Sequence, residues 1–224
     1  MNLQDIKAVA FDLDGTLVDS IPDLAAAANA MRQHLGLTPL ADLRIQEHVG
    51  DGIASLVHRA ITDQREGQAE SAQWEAGFTF FVRYYHEHLT DRTSIYPGVL
   101  AALDLLKALQ LPLVVITNKS EYLAVPLLEQ LKLRDSFSLI IGGDTLPEKK
   151  PSALPLEHVC QVLGIKPAEL VMVGDSHNDV LAARAAGSAA VAVSYGYGDA
   201  ANLGADLVLD NLAELYDLMK NKTR

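Results

Sequence analysis

Six short stretches of the chain are apolar without interruption: residues 8–11, 113–116, 139–141, 170–173, 190–193 and 207–209. Each is too short for an amphipathic helix and lacks the alternation of a strand with one wet face. Each therefore predicts a strand buried on both faces, as in a parallel sheet. Between and after the later stretches, apolar positions recur at helical spacing over 99–109, 121–131, 152–163 and 178–186, and again beyond 209. Regular alternation of strand and helix predicts βαβ units with right-handed crossovers, an α/β fold with helices on both faces of the sheet.

Residues 20–93 follow a different pattern, with helical periodicity throughout and no strand. Ser20 is placed to cap a helix whose first turn holds Pro22 and Asp23, whose body spans 24–35, and which Gly36 ends. Thr38-Pro39 opens a second helix running through Leu43 and Val49 to the turn Gly50-Asp51-Gly52, and 53–61 reads as a third. After a polar loop over 63–70, a long helix over 71–89 carries Trp74, Phe78, Phe81, Val82 and Tyr85 on its apolar side. The expectation is an all-helical insert, residues 20–93, joined through connectors near 17–20 and 91–96 to a core made of 1–19 and 94–224.

Composition narrows the compartment and the partners. In 224 residues, 49% of them hydrophobic, no apolar run approaches the roughly 18 residues of a membrane helix. The opening residues 1–7 carry an acid and lead straight into the first strand, an architecture unlike a secretion signal. The single cysteine, Cys160, permits no internal disulfide and lies on an apolar helical stripe with Leu156, Val159 and Leu163, the setting of a packed core thiol. These features predict a cytoplasmic protein. A net charge of −11 argues against nucleic acid or an anionic membrane as partner. It leaves room for an anionic small molecule where a metal ion and a few lysines reverse the field.

In open α/β sheets, ligands bind beyond the carboxyl ends of the strands, so those ends carry the candidate chemistry. The first strand breaks into Asp12-Leu13-Asp14-Gly15-Thr16, two neighbouring carboxylates that call for a compensating cation, and a hard divalent ion with oxygen ligands suits them. Gly15 permits a sharp turn, and Thr16 offers a hydroxyl and an N–H to an oxyanion. A helix-loop-helix calcium site is excluded, because the glycine follows the second Asp directly and no Glu lies at the required distance. The second strand ends in Thr117-Asn118-Lys119-Ser120, the third in Gly142-Gly143-Asp144, the fourth in Gly174-Asp175-Ser176-His177-Asn178-Asp179. Between the third and fourth, Pro151 disfavours helix at Lys150 and leaves that lysine able to reach the crevice. Paired acids, a divalent ion and a lysine suit phosphoryl transfer, with one carboxylate as nucleophile and the other protonating the leaving group and then deprotonating water.

At this point the residues resemble a known family. Phe11-Asp12-Leu13-Asp14-Gly15-Thr16-Leu17, Thr117-Asn118, Lys150-Pro151 and Gly174-Asp175-Ser176-His177-Asn178-Asp179 are similar, in order, to the four motifs of the haloacid dehalogenase superfamily, whose core is a Rossmann-like parallel sheet. The helical insert resembles the cap of its phosphatases. Asp19-Ser20-Ile21-Pro22-Asp23-Leu24, Tyr96-Pro97-Gly98, Ile140-Ile141-Gly142-Gly143-Asp144 and Ser194-Tyr195-Gly196-Tyr197-Gly198 are similar to the bacterial phosphoglycolate phosphatases. The resemblance implies a Mg²⁺-dependent phosphatase of a small phosphate monoester such as 2-phosphoglycolate, acting through an aspartyl phosphate, with the cap closing over the crevice. Asp12 would be the nucleophile and Asp14 the general acid and base. Asp12, the backbone carbonyl of Asp14 and Asp175 would hold Mg²⁺, and Thr16, Thr117, Asn118 and Lys150 would meet the phosphoryl group. Asp179 would orient Lys150 or a water on the metal. The chain departs from the family where Ser152-Ala153 follow Lys150-Pro151, so Lys149 is the alternative lysine.

Several residues have plainer readings. His86 and His88, two apart on a helix, point to different faces and suit a solvated surface better than a metal. His177 suits a helix start facing solvent as well as a substrate contact. Gly142-Gly143-Asp144 suits a turn as well as a phosphate nest, and Tyr195-Gly196-Tyr197-Gly198 suits a turn with packed rings. The other chemistries compatible with the pattern are a sugar-phosphate phosphatase, an amino-sugar 6-phosphate phosphatase, a pyrophosphatase or a phosphosugar mutase. A phosphoaspartate signalling module also joins acids, Thr, Lys and Mg²⁺, but there the phosphorylated Asp lies on a later strand than the acidic pair.

Overall fold

The computed structural model describes residues 5–220; the first four residues of the opening segment read above lie outside them. Each of the six apolar runs becomes a strand of one parallel sheet: β1 (Ala8–Phe11), β4 (Leu113–Ile116), β5 (Leu139–Ile141), β6 (Leu170–Gly174), β7 (Ala189–Val193) and β8 (Leu207–Leu209). Their order is β5-β4-β1-β6-β7-β8, with Ala10 of β1 in register with Val114 of β4 on one side and Met172 of β6 on the other. Ala8 and Ala10 contribute to a core with Leu156, Val159 and Cys160 from α7 (Leu154–Leu163) and Val180 and Ala183 from α8 (His177–Ala186). The alternate residues Val9 and Phe11 are just as buried, so the opposite face is covered too, which is why these strands read as unbroken apolar runs.

The chain builds β1, β4 and β5 to one side and then crosses back to add β6, β7 and β8 on the other. The direction reverses beside β1, and a crevice forms at the carboxyl ends where two crossovers diverge. Of the remaining helices of this unit, α5 (Val99–Ala108) and α6 (Glu121–Gln130) fall within a residue or two of their predicted bounds, and α9 (Ala213–Lys220) is the final helix expected beyond residue 209.

By contacts the chain divides into two compact units, 1–19 with 95–224, and 20–94. The second is helical: α1 (Ile21–His34), α2 (Asp42–Gln46), α3 (Ile53–Thr62) and α4 (Ser71–Glu87). Asp23, almost fully buried, accepts hydrogen bonds from the Arg92 and Thr93 N–H groups and the Thr93 hydroxyl, tying the two ends of this segment together. Phe81 and Tyr85 carry the buried face of α4, while Trp74 and Phe78 stack side by side at its half-buried start.

Three local expectations need correction. The second helix begins at Asp42 rather than Thr38 and ends at Gln46. Asn29 of α1 takes both the N–H and the carbonyl of Leu40, and Arg32 takes the Thr38 carbonyl, so backbone groups that helix formation would use are already engaged. Leu43, counted as apolar periodicity, is 74% exposed. Ser20 precedes α1 without a side-chain capping bond. Within the connectors, two short strands that the apolar pattern did not show, β2 (Val18–Asp19) and β3 (Ser94–Ile95), form a two-stranded ribbon. Cys160 is a core thiol, its pKa pushed up to about 11 by burial.

Candidate active site

Asp12 follows β1 directly, its N–H bonded to the carbonyl of Val173 on β6. Oδ1 accepts from the Leu13 N–H at 2.7 Å and faces the Lys150 ammonium at 3.0 Å. Oδ2 carries no hydrogen bond among the described residues, so one oxygen is fixed and its twin is open. The chain then turns at Gly15, whose φ of +86° suits glycine and whose missing side chain leaves room for Asp175; a Cβ there would stand 2.3 Å from a carboxylate oxygen. That turn carries Thr16 across to Asp175 and returns Leu17 and Val18 to the Leu13 carbonyl.

Asp175, at the end of β6, is held at both oxygens. Oδ1 accepts from the Thr16 hydroxyl at 3.2 Å and Oδ2 from the Tyr197 N–H at 2.7 Å. The Tyr-Gly-Tyr-Gly segment thus braces the site: Tyr195 donates to the Thr16 carbonyl and Tyr197 to Asp19. Burial, with Asp12 and Asp179 nearby, pushes Asp175 up to about 8 against those two hydrogen bonds, and burial lifts Asp12 to about 6 despite Lys150. Two buried acids with strongly raised pKa values call for more positive charge than the protein supplies.

Lys150 is fully buried between Asp12 and Asp179, its ammonium 2.6 Å from Asp179 Oδ1. Burial alone would lower its pKa, but the two carboxylates outweigh burial and the net shift is upward. Asp179 spends its second oxygen on the Ser176 N–H and hydroxyl in a capping box at the start of α8. Lys149 is only half-buried and is not the lysine of this cluster. Asn118 donates to the Lys150 carbonyl at 2.9 Å, and the Thr117 hydroxyl accepts from the Lys119 N–H. His177 begins α8 exposed to solvent.

Of the sequence-derived residues, Asp12, Lys150, Asp175 and Asp179 converge, and Thr16 binds into the cluster through Asp175 instead of leaving its hydroxyl free; its N–H goes to the Leu13 carbonyl. Carboxylate oxygens of Asp12, Asp175 and Asp179 lie within 4.8 Å of one another, a donor set a divalent ion could use. Asp14 is absent from that set. Its carboxylate is bound at both oxygens, 2.9 Å each, by the ammonium of Lys119, whose side chain is 2% exposed. Sequence reasoning passed over Lys119; its place after a strand end beside Thr117-Asn118 was the available signal.

A carboxylate fixed at one oxygen, buried acids short of positive charge and a lysine shared between two of them lie together at the carboxyl ends of a parallel sheet, at its point of reversal, the constellation of an α/β hydrolase. The model of the haloacid dehalogenase-like hydrolase family matches residues 6–187, and the chain belongs to that family. It is 74% identical over 221 residues to the phosphoglycolate phosphatase of Chromobacterium violaceum, covering 99% of this chain and 100% of that one. It is 53% identical to the phosphoglycolate phosphatase of Neisseria meningitidis, covering 98% and 97%. Among solved structures, that of a predicted phosphoglycolate phosphatase from Haemophilus somnus superposes with a TM-score of 0.90 at 34% identity, covering 96% of this chain and 98% of that one.

Proposed function

We propose that this hydrolase removes phosphate from 2-phosphoglycolate with the help of Mg²⁺, and that its helical unit is a cap that sets substrate selectivity. The observation that carries the chemistry is the asymmetric Asp12, with Oδ1 tethered by Lys150 and the Leu13 N–H and Oδ2 open. The substrate follows from the names of the relatives that match over the whole chain. Mg²⁺ suits the acidic cluster of Asp12, Asp175 and Asp179: Asp12, Asp175 and the backbone carbonyl of Asp14 would hold it, and it would supply charge neutralisation for the transferring phosphoryl group.

Asp12 Oδ2 attacks phosphorus and the bond from phosphorus to the glycolate oxygen breaks, leaving an aspartyl phosphate. Asp14 gives its proton to the departing oxygen. Water then attacks the same phosphorus as Asp14 takes a proton back, the bond to Asp12 breaks, and inorganic phosphate leaves. Lys150, with Asn118 and Thr117, binds phosphoryl oxygens, and Asp179 keeps Lys150 in place. Phosphate release from 2-phosphoglycolate, hexose phosphates, an amino-sugar 6-phosphate and pyrophosphate, each with Mg²⁺ and with chelator, tests this. The expected result is at least about a tenfold preference for 2-phosphoglycolate, lost on chelation. Preference for another member discards the substrate, and metal-independent release discards the role of the ion.

A further inference from the structure

The mechanism above gives Lys119 no task, yet the structure invests heavily in it. Its N–H donates to Thr117 Oγ1 at 3.2 Å and its carbonyl accepts from the Gly143 N–H at 2.8 Å, so the backbone is held on both sides. The ammonium is buried and reaches Asp14, not Asp12 or Asp179. Lys150 serves those two. Asp14 is the group that meets the oxygen leaving phosphorus, so a cation against both of its oxygens lies on the leaving-group side of the reaction.

In a phosphate ester of an α-hydroxy acid, a carboxylate hangs one carbon from that same oxygen. Such a leaving group enters a site of four carboxylates, Asp12, Asp14, Asp175 and Asp179, on a chain of net charge −11. Without a cation at that end it meets only repulsion. We propose that Lys119 is the specificity residue of this site, its ammonium binding the α-carboxylate of the leaving group in place of part of its contact with Asp14. This rests on the reading of Asp14 as the group at the leaving oxygen.

The test compares 2-phosphoglycolate with ethyl phosphate, which has a methyl group in place of the carboxylate. In Lys119→Met, the ratio of their kcat/KM values should fall by on the order of 10² relative to the unmodified enzyme, with KM for 2-phosphoglycolate rising, and Lys119→Arg should retain most of the preference. An equal loss on both esters overturns the proposal and leaves Lys119 as a partner of Asp14 alone. The unmodified enzyme supplies a second readout that needs no variant to fold. 3-Phosphonopropionate should inhibit ethyl phosphate hydrolysis far more strongly than propylphosphonate, and equal inhibition also overturns the proposal. If another α-phosphooxy acid such as 2-phospholactate is preferred and Lys119→Met erases that preference, phosphoglycolate falls as the substrate and Lys119 stands. If 2-phosphoglycolate is preferred and the variant keeps the preference, the reverse holds.

Discussion

Asp12 and Asp14 sit two residues apart, and their surroundings separate them into different tasks. Asp12 is tethered through one oxygen and otherwise open, whereas Asp14 is grasped through both. Asp12→Asn removes the proposed nucleophile, and phosphate release should fall to background in a steady-state assay. Asp14→Asn should keep the melting temperature within a few degrees and lower kcat by about 10²–10⁴, the usual range for a lost general acid and base; near-normal turnover would remove the mechanism. Asp12, Asp175 and Lys150 were legible in sequence because each follows a strand or a turn that points at the crevice. The Lys119–Asp14 pair was not, since it joins positions 105 residues apart through side-chain reach alone.

The elements position these side chains through a few close backbone approaches. Gly143 lies against the Asn118-Lys119 loop: its N–H bonds to the Lys119 carbonyl, and a Cβ would stand 2.4 Å from the Asn118 carbonyl oxygen. Asp144 accepts from the Glu121 N–H at the start of α6, so this segment is a brace for the second strand end, one of the two readings its sequence allowed. Gly143→Ala should therefore destabilise the fold by about 1–3 kcal/mol in urea unfolding, by forced displacement of backbone in a packed region, and should lower kcat/KM as well. Loss of stability with unaltered kinetics would separate this brace from the site. The misjudged second helix has the same origin: Asn29 and Arg32 of α1 claim the backbone of residues 38–40, a competition that no window of local sequence displays.

At the scale of the whole molecule, uncompensated negative charge links metal, pH and stability. Without a cation, folded Asp175 keeps its proton up to about pH 8 and Asp12 up to about pH 6, while both release it near pH 4 when unfolded. The folded state thus binds more protons between about pH 4 and 8, and stability must fall as pH rises through that window. In chelator, the melting temperature should drop from pH 5 to pH 8. Binding of the proposed Mg²⁺ ion needs ionised carboxylates and would stabilise by about 2.7 kcal/mol at a hundredfold excess over its Kd, so its stabilisation should be larger at pH 8 than at pH 5. Equal shifts at both, read by calorimetry, would remove the acids from the metal site. Because the helical unit begins and ends beside a two-stranded ribbon, replacing residues 20–94 by a short linker should leave a soluble core with reduced preference among phosphate esters.

The sequence alone determined the alternation of buried strands and helices, the helical character of residues 20–93 and the residues that could carry the chemistry. Hydrophobic periodicity and turn residues are local quantities, and strand ends in an α/β sheet converge by rule. Only the tertiary structure decided the strand order β5-β4-β1-β6-β7-β8, the capture of the Thr16 hydroxyl by Asp175 and the hold of Lys119 on Asp14. Each of these is a pairing between distant segments, set by which groups remain unsatisfied once the sheet has closed over its core.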